Sequence, residues 1–378
     1  MSRDLAHRRR QLLLELLRVR GAVKVSELAP ELGVSEMTVR RDLAALADRG
    51  LLDKVYGGAT LVEPDTTFHA ALEPAPAATQ HRRRFTIGMV VPSFSYYWPA
   101  IIAGARSAAD AAGARLLLRS SSSDLIDDRK QISALACTPG VDALIAAPGL
   151  EAPGSGALVR WLEQLRQPVM LAERRAPASM LEWAVSDHAA GAAMAVRHLH
   201  DNGHRRIGLF AHDLSPTTPH IQRGWSGQLR ALDLDPAAQL GGPTAAFTEP
   251  GRDRVLDDVV ADLRRHRTTA VIVHSDPPAQ ALVQHCIDLG MRIPDDLEVV
   301  TYDDEVAQLS QPSLTAVRPP KHHVGRVAVE CLVARLQEGS NRPVTRVVLT
   351  PELIIRQSSP RRDRAAGETT QLSRPTAP

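Results

Sequence analysis

Two adjacent arginines, Arg40 and Arg41, stand in the stretch VSEMTVRRDLAALADRGLL, residues 34–52. Arginine is the usual bidentate reader of guanine in the DNA major groove. Thr38 suits a phosphate oxygen or a thymine methyl, and Glu36 is a further polar side chain on the same surface. Ser35 can cap a helix that starts here, leaving Arg40 and Arg41 one turn inside it. Val39, Leu43 and Leu46 recur at helical spacing on the opposite side, so the polar residues face outward. Standing alone, an Arg-Arg pair is more often a solvated helix face.

The flanking elements choose between those readings. Residues 8–20 predict a helix burying Leu12, Leu13, Leu16 and Leu17 and stopped by Gly21. Ser26 can cap a second helix, 26–32, that buries Leu28 and Leu32, and Gly33 makes the turn. The third helix runs from about 36 to 48. Segments 51–56 and 59–62 can pair around Gly57-Gly58 as a small hairpin. Helix, turn, helix and wing in this order form a device for placing one helix in the major groove, which implies a double-stranded DNA partner. Charge agrees modestly: residues 1–60 hold eleven Lys and Arg against eight Asp and Glu, while the whole chain is only +2.

A second group of side chains suits a small polar ligand. Tyr96, Tyr97 and Trp98 are three of only thirteen aromatic residues and stand beside Ser93 and Ser95, directly after an apolar strand. In an open α/β sheet that is the strand-end loop where ligands bind. Aromatic faces beside hydroxyls suit a flat or sugar-like molecule. Ser275-Asp276 and Asp303-Asp304 follow two further apolar strands and would add hydrogen-bond acceptors, as a polyol site needs. Two alternatives stay open: the aromatic residues could cap a core or a dimer contact, and Asp276 could simply cap the helix beginning at Pro277-Pro278.

The elements that must position these groups alternate strand and helix. Buried strands are expected at 86–91, 115–119, 142–146, 168–172, 206–211, 269–273, 297–302 and 346–355. Helices are expected near 98–112, 127–136, 157–165, 188–202, 251–265, 277–289 and 321–338. Such alternation over about 270 residues predicts an α/β body of parallel doubly wound sheets. The expected organisation is a winged helix-turn-helix over 1–62, a Pro- and Ala-rich linker over 63–84, a body over 85–357 and a disordered tail over 358–378.

Several classes are disfavoured. No dinucleotide or phosphate-loop glycine motif, no GxSxG elbow and no HExxH occurs, so neither a catalytic centre nor a cofactor is expected. His200 and His204 are four apart but Gly203 lies between them and no third ligand is in phase, so no metal is expected. The Ser120–Ser123 run has no partnered base. Three scattered cysteines suit reduced thiols in the cytoplasm. No apolar run reaches the ~18 residues that cross a bilayer, and no leader-like segment opens the chain, so no membrane partner is expected.

Residues 8–61, with the VS..TVRRDL core and the closing GGA, resemble the DeoR-type helix-turn-helix. That resemblance makes Ser35, Thr38, Arg40 and Arg41 the DNA-contacting positions and places Lys54 at the basic position of the wing. Residues 85–357 resemble the sensor domain of the LacI/GalR repressors, a fold shared with periplasmic sugar-binding proteins. The matching stretches are TIGMVVP (86–92), IIAGARSAADAAG (101–113), VDALI (141–145), PVMLAERR (168–175), SDHAAGAAMAVRHLHDNGHRRIGLF (186–210), RGWSGQLRAL (223–232), TAVIVHSD (269–276), GMRIPDDLEVVTYDD (290–304) and PSLTAVRPP (312–320). The resemblance implies two lobes, approximately 85–185 with 316–342 and 186–315 with 343–357. It implies a ligand between them and a homodimer. Asp276 and Asp303 match the family pattern. Ile221 stands where the family places a ligand-binding arginine, and His220 and Arg223 lie beside it as replacements. Thr301 and Ser275 replace a common glycine and asparagine, and the linker lacks the family's hinge helix. The expectation is a DNA-binding repressor controlled by a sugar, polyol or nucleoside. A DeoR-type regulator sensing a sugar phosphate, a sugar-modifying enzyme with a regulatory head and an exported solute-binding protein are the alternatives.

Overall fold

The computed structural model describes residues 84–122, 124–212, 215–234, 239–242 and 252–361. In the head it describes residues 22–24, 28, 34, 35, 37–39, 41, 43, 52–55 and 58–61. The chain separates into two compact units, Met1–Gln80 and His81–Pro378.

In the head, β1 (Ala22–Lys24), β2 (Leu52–Val55) and β3 (Gly58–Leu61) form an antiparallel sheet in the order β1-β3-β2. The expected hairpin is β2 and β3, with Leu52 opposite Leu61 and Val55 opposite Gly58. The third strand, β1, is an addition. It lies just after Gly21, where the apolar pattern is too short to signal a strand. The expected helix 8–20 lies outside the described residues.

The body has two sheets. In the first lobe are β4 (Phe85–Val91), α1 (Trp98–Ala111), β5 (Ala114–Ser120), α2 (Leu125–Ala136), β6 (Ala143–Ala146), α3 (Ser155–Glu163), β7 (Val169–Ala172) and β8 (Glu182–Ser186). The chain then crosses to the second lobe. There it builds α4 (His188–Asp201), β9 (Ile207–His212), α5 (Thr218–Ala231), β10 (Gln239–Gly242), α6 (Arg252–Arg265), β11 (Ala270–His274), α7 (Asp276–Asp288), β12 (Glu298–Tyr302) and β13 (Thr315–Arg318). A second crossing gives α8 (Lys321–Glu338) and β14 (Arg346–Leu349), and a third gives β15 (Glu352–Ile354). The sheet orders are β14-β8-β7-β6-β4-β5 and β10-β9-β11-β12-β13-β15, parallel throughout except that β15 runs antiparallel to β13.

The strands are buried on both faces, which is why they read as unbroken apolar runs. In β4, Ile87, Met89 and Val91 join one core layer and Val90 the other. In β11, Val271 and Val273 enter one layer while Ala270 and Ile272 enter its opposite. Helices close on each other through glycine. A Cβ on Gly104 of α1 would lie 1.9 Å from the His322 carbonyl oxygen, and one on Gly325 of α8 would lie 1.9 Å from that of Ile101. The second crossing helix is thereby locked onto the first lobe.

Three expected boundaries change. Residues 346–355 form two strands in two different sheets, because Thr350-Pro351 carries the chain between lobes. β13 pairs with β12, so the second lobe extends past 315 to Arg318, and β14 pairs with β8, so it belongs to the first lobe. The body does not stop at 357. Ser358 and Ser359 are fully buried, and the Ser358 hydroxyl donates to the Val299 carbonyl at 2.6 Å.

Candidate functional site

In the head, the Ser35 carbonyl accepts the amides of Thr38 and Val39 at 2.9 and 3.1 Å. Its hydroxyl lies 2.9 Å from the Thr38 hydroxyl and accepts the Thr38 amide at 3.3 Å. Ser35 is thus the N-cap the sequence predicts. Met37, Val39, Arg41 and Leu43 are helical; Val39 and Leu43 are buried while Ser35 and Arg41 are exposed and Thr38 is half-buried. Leu28 is fully buried. The apolar face is therefore turned inward and Arg41 outward, as a reading helix requires. Lys54 lies on β2, opposite Ala59. Glu36 and Arg40 lie outside the described residues.

In the body, the loops that follow β4, β7, β11 and β12 meet where the two sheets face each other. Tyr96 has a left-handed backbone, φ 56°, which sends its ring across from the first lobe. Its phenol oxygen accepts the amide of Asp276 on the second lobe at 3.3 Å, and the Ser275 hydroxyl faces it as well. Burial, then the carboxylates of Asp303 and Asp276, push the phenol well above its ordinary pKa, so it stays a neutral hydrogen-bonding group.

Tyr97 begins a closed circuit of polar groups. Its hydroxyl donates to Glu173 Oε1 at 2.8 Å. The Ser186 hydroxyl donates to the same oxygen at 2.6 Å and the Ser186 amide to Oε2 at 2.9 Å. His188 Nε2 lies 3.5 Å from that second oxygen. Burial opposes ionisation of Glu173, but the hydrogen bonds and charge of His188 and the Ser186 donors overcome it and hold the pKa at about 2. His188 Nδ1 lies 3.3 Å from the Tyr302 hydroxyl, which donates to the His188 carbonyl at 3.2 Å. The His274 ring stands edge-on to Tyr302, 5.8 Å between centroids, and its Nε2 is 3.9 Å from Asp303 Oδ2. Lys321 closes the circuit: its Nζ donates to the Asp303 carbonyl and to Glu305, and lies 5.3 Å from the centre of the Tyr97 ring. The circuit joins both lobes and passes through two of the three crossings, at Ser186–His188 and at Lys321.

The remaining sequence-derived candidates divide. Asp303 is in the circuit, 4% exposed, and burial followed by the opposing influences of Lys321 and Asp276 leaves its pKa at about 7. Asp276 is fully buried and occupied with its own chain. It accepts the Thr301 hydroxyl at 2.9 Å and the amides of Glu305 and Val306 at 2.6 and 2.9 Å. Its carboxylate holds the 303–306 loop, and Ser275 rather than Asp276 is the N-cap of α7. Only its amide faces the site. Thr301, a departure from the family glycine, supplies one of those bonds. Ser93 turns toward its own loop, with its hydroxyl donating to the Ser95 carbonyl at 3.1 Å. Trp98 is 8% exposed and belongs to the first lobe's core, with the Arg174 guanidinium 5.8 Å from its centre. Ile221 is fully buried in the second lobe's core. His220 and Arg223, one turn apart on α5, are 3.4 Å apart.

Sequence reasoning missed Glu173, His188, His274 and Lys321. Within the Ser120–Ser123 run, the Ser121 hydroxyl is buried and donates to Asp128 at 2.5 Å. His204 Nδ1 bonds Thr269 at 2.8 Å, and among the described residues no cluster of His, Cys, Asp and Glu could hold a metal ion. The three cysteines are free, and no described helix is long and apolar enough to cross a membrane.

Comparison with known proteins agrees with this division of labour. Residues 9–65 match the DeoR-like helix-turn-helix domain and residues 196–359 match the periplasmic binding protein-like domain. The arabinose metabolism transcriptional repressor of Geobacillus stearothermophilus is 28% identical over 341 residues, covering 88% of this chain and 90% of that protein. The transcriptional repressor PurR of Photobacterium profundum is 26% identical, covering 72% and 80%. Among solved structures, a transcriptional regulator CelR–cellobiose complex superposes with a TM-score of 0.63 at 22% identity, covering 86% and 91%. A LacI family regulator from Enterococcus faecium with bound ribose superposes with a TM-score of 0.59 at 19% identity, covering 73% and 99%. A DeoR-like helix-turn-helix head joined to a two-lobed periplasmic-binding-protein-like body defines a regulator of transcription. This chain is such a transcriptional regulator, built from a DeoR-like helix-turn-helix domain and a periplasmic-binding-protein-like body.

Proposed function

We propose that the chain is a cytoplasmic, non-enzymatic repressor that holds an operator as a homodimer and releases it when a sugar or polyol is bound between the lobes. Ser35, Glu36, Thr38, Arg40, Arg41 and Lys54 contact the DNA in this reading, with two heads spaced to two half-sites. Tyr96, Tyr97, His220, Arg223, Asp303 and the Asp276 amide face the ligand, with Ser93 at the rim. The observation that carries the reading is the hydrogen bond from the Asp276 amide to Tyr96 together with the circuit that unites the lobes and two crossings. A ligand that replaces bonds of that circuit has different contacts in open and closed bodies, and differential contact is what shifts a two-state equilibrium. The sugars bound in the solved relatives, cellobiose and ribose, are of the class such a polar, aromatic-walled site suits.

The test uses the full chain and an operator selected from random duplexes. Addition of one sugar or polyol from a panel should lower operator affinity 5- to 150-fold, a coupling of about 1–3 kcal/mol. Operator binding that no polyhydroxylated compound changes, with none raising the melting temperature, contradicts the proposal.

A further inference from the structure

Arg174 and Arg175 are neighbours in sequence with opposite circumstances. Arg174 is buried, donates to the Pro148 and Glu173 carbonyls, both at 2.8 Å, and feels the carboxylates of Glu173, Glu151 and Asp128. Arg175 is half-buried, three residues beyond the end of β7 on the loop that faces the second lobe. Among the described residues no carboxylate lies within ion-pair distance of it. Arg223, on the other lobe, is exposed, and among the described residues its guanidinium meets only the ring nitrogen of His220, at 3.4 Å. Arg223 is placed by a tight helix crossing, since a Cβ on Gly224 would lie 2.0 Å from the Ala189 carbonyl oxygen. That holds this turn of α5 against the start of α4, beside His188. His220 registers the result. Burial, then Arg175, His188 and Arg223, pull its pKa down to about 4, and Asp187 is the carboxylate that opposes them. The Asp187 carboxylate is engaged in capping α4, accepting the Ala190 amide at 3.1 Å.

An arginine from each lobe thus bears on one histidine, and among the described residues neither arginine has a carboxylate partner. Like charges without a counter-charge repel, the more so where the half-buried Arg175 and His220 are shielded from water, and an anion among them removes the repulsion while supplying charge-assisted bonds. We infer that Arg175, Arg223 and His220 form an anion subsite, so that the ligand is a polyhydroxylated anion carrying a carboxylate or a phosphate ester. The inference rests on the reading of the interlobe region as a sugar-type sensor, and narrows it. Where an arginine was expected at Ile221, Arg175 and Arg223 supply positive charge instead, one from each lobe, so the charge of the ligand itself draws the lobes together.

The probe is inorganic phosphate at constant ionic strength, applied to the full chain. Replacing chloride by phosphate should raise the melting temperature of the wild type and leave the double variant Arg175→Gln/Arg223→Gln unmoved, the head's arginines being common to both. In chloride the variant should melt no lower than the wild type. If it melts lower, Arg175→Lys/Arg223→Lys, which keeps the charges, should recover the phosphate response. A phosphate response that is absent in the wild type, or equal in wild type and double variant, overturns the subsite. A second arm compares D-gluconate, D-glucuronate and D-glucose 6-phosphate with neutral D-glucose for operator release, and its acids and ester distinguish the two anion sources. Release by an anionic member, weakened at least tenfold in the double variant, supports the inference. Release by neutral glucose, equal in both proteins, overturns it and leaves the proposed function standing. A phosphate response that depends on the two arginines, with no release by any sugar, supports the anion subsite and overturns the proposed function instead.

Discussion

Arg41 and Asp303 show how differently single residues serve the two units. Arg41 is exposed because Val39 and Leu43 take the inward face of its helix, so its replacement touches DNA and little else. Arg41→Ala should weaken operator binding by about 1–3 kcal/mol and leave the melting temperature and ligand binding unchanged; equal operator affinity in an anisotropy titration would remove Arg41 from the interface. Asp303 is the reverse, a buried group whose charge the fold resists. Its carboxyl ionises near 4 in an unfolded chain and at about 7 in the folded one. Folding therefore retains a proton between those values. The stability this contributes is full below pH 4 and declines as pH rises through 7. Asp303→Asn should flatten the fall in urea stability between pH 5 and 8. A variant with the wild-type pH slope would place that titration elsewhere. Ser35, Arg41, Tyr96 and Asp303 were legible in sequence because each follows a local signal, a capping position or a strand end. Glu173, His188 and Lys321 were not, because what makes them matter is one another: Tyr97 and Glu173 are 76 residues apart in sequence, and His188 and Tyr302 are 114 apart. A charged residue directly after an apolar strand, or opening a helix after Pro-Pro, was the only available hint.

At the scale of elements, helix crossings set the geometry. Within α5, Gly224 and Gly227 are three residues apart and have opposite surroundings. A Cβ at 224 would collide with the Ala189 backbone, whereas at 227 it would meet nothing within 4 Å. Gly224→Ala should therefore destabilise the body by about 1–3 kcal/mol through overpacking. Gly227→Ala should stabilise it by about 0.5–1 kcal/mol by removing unfolded-state freedom from a helical position. Thermal unfolding of the two variants checks both signs, and the same sign in both would contradict the packing. Sequence pattern found the strands buried on both faces and failed where burial was bought with charge. β8 escaped notice because it opens with Glu182, a buried carboxylate that Arg335 of α8 binds at 2.9 Å. α5 escaped because Pro219, His220 and Arg223 interrupt its apolar spacing. The run at 346–355 read as one strand because nothing local marks a change of sheet.

At the scale of the whole molecule, the body's three crossings are joined to one another. The Asp187 amide donates to the Leu349 carbonyl at 2.7 Å, and Asp304 pairs with both Arg318 and Arg356 at 2.7 Å. A change in lobe angle therefore reaches all three crossings together, which suits an all-or-none response rather than a graded one. Linkage makes the coupling of body to head measurable from either end. If a ligand between the lobes weakens the hold on the operator, the operator must weaken the hold on the ligand by the same factor. The most direct measurement is calorimetric titration of the full chain with its releasing ligand, free and saturated with operator DNA. Ligand affinity should be 5- to 150-fold lower in the presence of operator, equal to the ligand's effect on operator affinity. An identical ligand affinity with and without operator would show that the body does not control the head.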